Sequence, residues 1–135
     1  MTLVNWTPNL SVGIEAIDNQ HKKILELINQ THAAMLEGRS SEEMADIMHG
    51  LIDYTETHFA YEEDLFKQYS YPETAQHQLA HTALTAKVLG YKRKLDAGET
   101  VVSVDILKFL KDWLIGHILG VDKRYAPFLK EHGVY

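Results

Sequence analysis

Two pairs of metal-capable side chains stand four residues apart in this chain, His58 with Glu62 and His77 with His81, each inside a run of apolar residues at helical spacing. That interval is close to one α-helical turn, so each pair stacks on a single helix face. Ile47, Leu51, Thr55, Phe59 and Phe66 recur along the face of the first pair. Leu84, Val88, Tyr91 and Leu95 continue the face of the second. Both segments read as helices whose inward side carries potential ligands, and the rest of the fold has to accommodate that. A β-rich alternative needs period-two alternation, and only Val101 to Val104 approaches it.

Helix boundaries follow from capping chemistry. Asp18 predicts the start of a first helix that ends at Gly38, and Ser40 with Glu43 has the form of a capping box opening a second. The second helix runs to about Tyr69. Pro72 suits the first turn of a third, which stops at Gly98. Ser103 predicts the cap of a fourth, with Ile106, Leu110 and Trp113 as its inner stripe. A short segment from Asp122 to about Lys130, interrupted by Pro127, closes the chain. Residues 1 to 17 read as an irregular arm, with Trp6, Leu10, Val12 and Ile14 covering the end of the domain. Helices joined by short loops call for an all-α, antiparallel up-down-up-down four-helix bundle, with an irregular N-terminal arm and a short C-terminal helix. At 135 residues one domain, 1–135, is expected.

Composition narrows the chemistry. The net charge of -6 opposes binding to nucleic acid or to an anionic membrane surface. The absence of cysteine removes thiolate-bound zinc, iron-sulfur clusters, disulfides and cysteine nucleophiles, so any metal is held by nitrogen and oxygen. No stretch is apolar enough for membrane insertion, and nothing resembles a signal peptide, so a cytoplasmic location is expected.

The remaining helices add to the two pairs. His21 lies among Ile17, Ile24, Leu25 and Ile28, and His117 follows Leu110 and Trp113, with Asp122 five residues beyond. One histidine on an apolar stripe is usually a hydrogen-bonded core residue. Five imidazoles and two carboxylates turned into one bundle, with no inward lysine or arginine, would be severely desolvated unless positive charge sat among them. Seven donors exceed the needs of one first-row metal and suit two. A carboxylate has two oxygens and can span a pair of ions, so Glu62 and Asp122 are the expected bridges and His21, His58, His77, His81 and His117 the terminal ligands. The five-residue step to Asp122 leaves two options open: the helix loosens at Gly120, or the aspartate reaches back from the following turn. His32 and His132 are expected at the surface or in loops, and His49 lies too far along its helix to be a ligand.

With these residues in place the chain resembles the hemerythrin family, and in particular its single-domain bacterial members, over nearly its whole length. The resemblance implies two iron ions bridged by Glu62, Asp122 and an oxo or hydroxo group. His77, His81 and His117 would hold one iron, and His21 and His58 the other, where dioxygen would bind. It implies reversible dioxygen binding for storage, transport or delivery to an oxygen-consuming enzyme, without catalysis. Phe59, Trp113, Leu114 and Ile118 are expected to line a dry oxygen pocket, and the chain is expected to be monomeric. The rival functions are an oxygen or redox sensor, and a di-iron enzyme reacting with peroxide or nitric oxide.

Overall fold

The computed structural model describes residues 3–135. They form α1 (Glu15–Leu36), α2 (Ser41–Tyr69), α3 (Thr74–Asp96), α4 (Val104–His117) and α5 (Lys123–Glu131), with a 3-10 turn at Pro8–Leu10 and a π turn at Ile118–Asp122. No strand occurs among the described residues. The fold is the expected all-α antiparallel four-helix bundle. α1 packs on α2 and on α4, and α2 packs on α3. α4, the π turn and α5 follow one another without a break. No helix among the described residues is long and apolar enough to cross a membrane.

The punctuation of the helices is mostly as capping chemistry predicts. Ser40 Oγ accepts the Glu43 N–H at 3.1 Å, a cap that contributes about 1 kcal/mol. Gly38 and Gly98 take φ of +72° and +74° just past α1 and α3, where a β-carbon would be strained. Three details differ from expectation. α3 begins at Thr74, with Pro72 in the turn before it. Ser103 occupies the N-cap of α4, yet its hydroxyl makes no capping bond. α5 runs straight through Pro127, whose ring is exposed, at the loss of one i→i−4 bond.

The arm also differs. α1 starts at Glu15, three residues before Asp18, so Asp18 does not cap it. Its carboxylate accepts instead from the Val12 N–H at 2.8 Å and the Ser11 hydroxyl at 2.5 Å. Further along α1, Asn29 Oδ1 accepts the Leu3 and Val4 N–H groups at 2.9 and 3.0 Å, and Asn29 Nδ2 donates to the Val4 carbonyl at 2.7 Å. The arm therefore runs back along α1, latched at both ends, instead of simply covering the end of the bundle. Its own Val4, Leu10, Val12 and Ile14 are buried.

The core joins Ile17, Ile24, Leu25 and Ile28 of α1 to Met48, Leu51 and Phe66 of α2 and to Leu107 and Leu114 of α4. The inner stripe of α4 is rotated relative to the sequence expectation. Leu107 and Leu114 are buried, while Ile106, Leu110 and Trp113 are half-buried on its flanks.

Candidate metal centre

All seven candidate ligands are buried, and they gather where the start of α1, the second half of α2, the start of α3 and the end of α4 meet. Their donor atoms form two overlapping groups, each with members within 4.8 Å of one another. One holds Glu62, His77, His81 and His117; the other holds His21, His58, Glu62 and Asp122.

The π turn explains the five-residue step. The Lys123 N–H donates to the Ile118 carbonyl, an i→i−5 bond that widens the helix by one residue. In an unbroken α-helix Asp122 would point about 100° away from the position one turn past His117. Of the two options open from sequence, the helix loosens locally, and Asp122 belongs to the loosened turn itself.

The side chains converge on shared points. Asp122 Oδ1 lies 3.0 Å from His77 Nε2 and 2.9 Å from His117 Nε2, while Oδ2 lies 3.1 Å from His21 Nε2. Glu62 Oε1 stands 3.3 Å from both His58 Nε2 and His81 Nε2 and 3.9 Å from His77 Nε2. The ring nitrogens of His77 and His117 face each other at 3.2 Å. Despite this closeness, both nitrogens of His21, His81 Nε2, Glu62 Oε1 and both oxygens of Asp122 have no hydrogen-bond partner among the described residues. Buried polar atoms left this way are costly. Lone pairs that crowd together without pairing are what cations between them would satisfy, and an all-imidazole and carboxylate set suits a pair of first-row metals.

The charges balance locally. Burial and the nearby Asp122 push the Glu62 carboxyl up, but His58 and His81 outweigh them and hold it at about 2. Burial likewise raises Asp122, and contacts from His117, His21 and His77 bring it well below the usual carboxylate range. Burial lowers His81, and the carboxylates of Glu62 and Glu63 reverse that, so its value is raised. Both carboxylates thus stay ionised where positive charge is needed.

Three partners were not foreseen from sequence. The Tyr125 hydroxyl donates to Glu62 Oε2 at 2.5 Å, and burial, with Glu62 and Asp122 close by, pushes that phenol well above its usual range. Gln20 Oε1 lies 2.6 Å from His58 Nδ1, and Glu63 Oε2 lies 3.1 Å from His81 Nδ1. Tyr125 stands three residues after Asp122, a helical interval that could have pointed to it. Gln20 and Glu63 merely adjoin candidate ligands in sequence.

An apolar cavity of about 30 Å³ adjoins the cluster, lined by Phe59, Trp113 and Leu114 together with residues such as Ile24, Ile28, Leu51 and Leu84. Phe59 stacks on His81 at 3.9 Å between centroids, and Trp113 stacks on His117 at 4.4 Å. Ile118 is buried in the core and is not on the cavity wall, contrary to expectation. It continues the buried face of α4 four residues past Leu114, which packs it into the core. His32 is also unlike its expectation: it is buried, with Nδ1 lacking a partner among the described residues. His132 is exposed as expected, its Nδ1 bonded to the Phe128 carbonyl at 2.8 Å. His49 stays outside the cluster, 2.8 Å from Asp96.

Residues 12–129 match the family model described as Hemerythrin HHE cation binding domain. The bacteriohemerythrin of Stenotrophomonas maltophilia is 35% identical over 132 residues, 98% of this chain and 85% of that protein. That of Methylococcus capsulatus is 35% identical over 130 residues, 96% of this chain and 98% of its own. A crystal structure of wild-type hemerythrin superposes with a TM-score of 0.89 at 33% identity, covering 93% of this chain and 96% of the other. In sequence and in fold, the chain belongs to the hemerythrin HHE cation-binding family.

Proposed function

We propose that this chain is a single domain that holds two iron ions and binds dioxygen reversibly, as an oxygen carrier or store. His77, His81 and His117 would hold one ion and His21 and His58 the other, with Glu62 and Asp122 between them. The observation that carries this reading is the division of Asp122, one oxygen toward His77 and His117 and the other toward His21. Bound there, the two irons would supply the electrons and the open position that dioxygen needs.

The chain's own residues do the rest. Glu62 Oε1 lies between the histidines of both groups, which suits a carboxylate shared by two ions. Gln20 and Glu63 accept from the outer nitrogens of His58 and His81, leaving their inner nitrogens free to coordinate. Phe59, Trp113 and Leu114 form an apolar wall that excludes water and with it the protons that would drive reduced oxygen off the site. Neutral imidazoles carry less negative charge than carboxylates, so this donor set stabilises high-valent iron poorly and favours release over oxygenation.

The test is to load the reduced protein with iron anaerobically, admit oxygen, record the visible spectrum, and purge. A charge-transfer band that fades on purging and returns on readmission supports carriage. Irreversible passage to the oxidised form in a protein confirmed to hold two irons overturns it in favour of redox sensing or of peroxide and nitric oxide chemistry.

A further inference from the structure

Glu63 lies on the outer wall of the ligand cluster. Its Oε2 is 3.1 Å from His81 Nδ1, and its side chain is 31% exposed where that of His81 is 3% exposed. It opens into a groove of about 790 Å³ between α2 and α3, lined also by Asp64, Lys67, Gln78 and Thr82. A carboxylate only accepts, so the Glu63 contact favours the proton on Nδ1; Nε2 faces Glu62 Oε1 at 3.3 Å without a hydrogen bond and is then the lone pair turned inward. The matching position on the other group is filled by Gln20, whose Oε1 lies 2.6 Å from His58 Nδ1. An amide oxygen imposes the same tautomer but brings no charge. The two groups therefore have like geometry and unlike electrostatics.

We infer that Glu63 is a positioning residue that fixes the His81 tautomer and lends negative charge to the three-histidine group alone, through a contact open to solvent in the α2–α3 groove. The inference rests on the two-iron reading above. A ring hydrogen-bonded to a carboxylate is a stronger donor than one bonded to an amide, so the metal on His77, His81 and His117 is the one whose ferric state is favoured. The partner metal on His21 and His58 keeps the more neutral surroundings.

Two variants separate position from charge. Glu63→Gln keeps an acceptor for Nδ1–H and removes the charge, while Glu63→Leu removes both. In the metal-free chain, at a pH where the ring is neutral, long-range proton–nitrogen NMR should show His81 with the proton on Nδ1 in wild type and Glu63→Gln, and a shift toward Nε2–H in Glu63→Leu. After confirmation of two irons per chain, Glu63→Gln should lower the ratio of ferric to ferrous binding about tenfold. That ratio is a rise of roughly 59 mV for a one-electron step. Gln20→Glu should move the potential the opposite way.

Wild-type His81 protonated on Nε2 in the metal-free chain overturns the positioning role. An unchanged potential in a Glu63→Gln protein that holds two irons overturns the charge role. A wild-type chain that takes up no iron pair overturns the two-iron reading and the charge role with it, and the metal-free NMR result still decides the positioning role.

Discussion

The Tyr125 hydroxyl donates to Glu62 Oε2 at 2.5 Å, with both residues at 0% exposure, so α5 reaches back across the bundle to hold a carboxylate carried by α2. Oε1 is the oxygen left to face His58, His77 and His81. Removing the hydroxyl strands a buried charged acceptor. Tyr125→Phe should therefore destabilise the metal-free protein by about 1–3 kcal/mol, measured by urea unfolding. A loss below about 0.5 kcal/mol, the size of an ordinary surface substitution, would show that Oε2 finds another donor.

Metal removal should loosen the whole bundle, because the candidate ligands come from every long helix and binding energy at such a site is partly folding energy. With metal at about a thousand times its dissociation constant, the linkage contributes about 4 kcal/mol. For a chain of this size that corresponds to roughly 10 °C or more in Tm. Calorimetry before and after chelation checks this, and equal melting temperatures would mean that the bundle does not depend on the centre.

The pH dependence of the metal-free chain has two limbs. Glu62 is held at about 2 against an ordinary 4.5, so its contribution is present above 4.5 and lost as pH falls toward 2. Asp122, also lowered, adds to that acid limb. His81 is raised from 6.5, so its contribution is complete below 6.5 and lost as pH rises through its higher folded value. Urea midpoints should peak between about pH 4.5 and 6.5 and decline on both sides. The alkaline decline should vanish once metal is bound, since coordination takes the neutral ring.

Leu114 is 3% exposed on the cavity wall between the helices that carry His58 and His117. Leu114→Asn puts a hydrogen-bonding group where the lining is apolar and should draw in water. Autoxidation of the oxygenated protein is expected to run several-fold faster than in wild type. Stopped-flow decay at matched oxygen and pH provides the comparison, and equal rates would remove Leu114 from the pocket's function.

The bundle and the seven-residue cluster were legible in the sequence because local rules govern them. Ser40 with Glu43, and Gly38 and Gly98, mark ends through backbone chemistry confined to a few residues. His58 with Glu62 and His77 with His81 announce themselves by interval. What escaped was set by contacts across elements. Asp18 looked like a cap, yet the arm supplied Val12 and Ser11 as better donors. Glu63 and Gln20 gain their roles from the rotation of one helix against another. The burial of His32, by contrast, is written in the sequence, since it stands four residues after Ile28 and seven after Leu25 on the same stripe.

The π turn sets the direction of everything that follows it, Asp122 and α5 included. Within it Ile118 is fully buried, while Leu119 and Gly120 are exposed and Val121 is half-buried, so only substitutions at these last three meet little resistance from packing. Deleting any one residue between the two ligands would restore the ordinary helical phase. Asp122 would then stand four residues past His117, in the position the π turn now gives it, and α5 would keep its direction toward Glu62. A single-codon gap would therefore be absorbed as an ordinary turn, while straightening the helix with all five residues kept would turn Asp122 and Tyr125 about 100° away from the cluster.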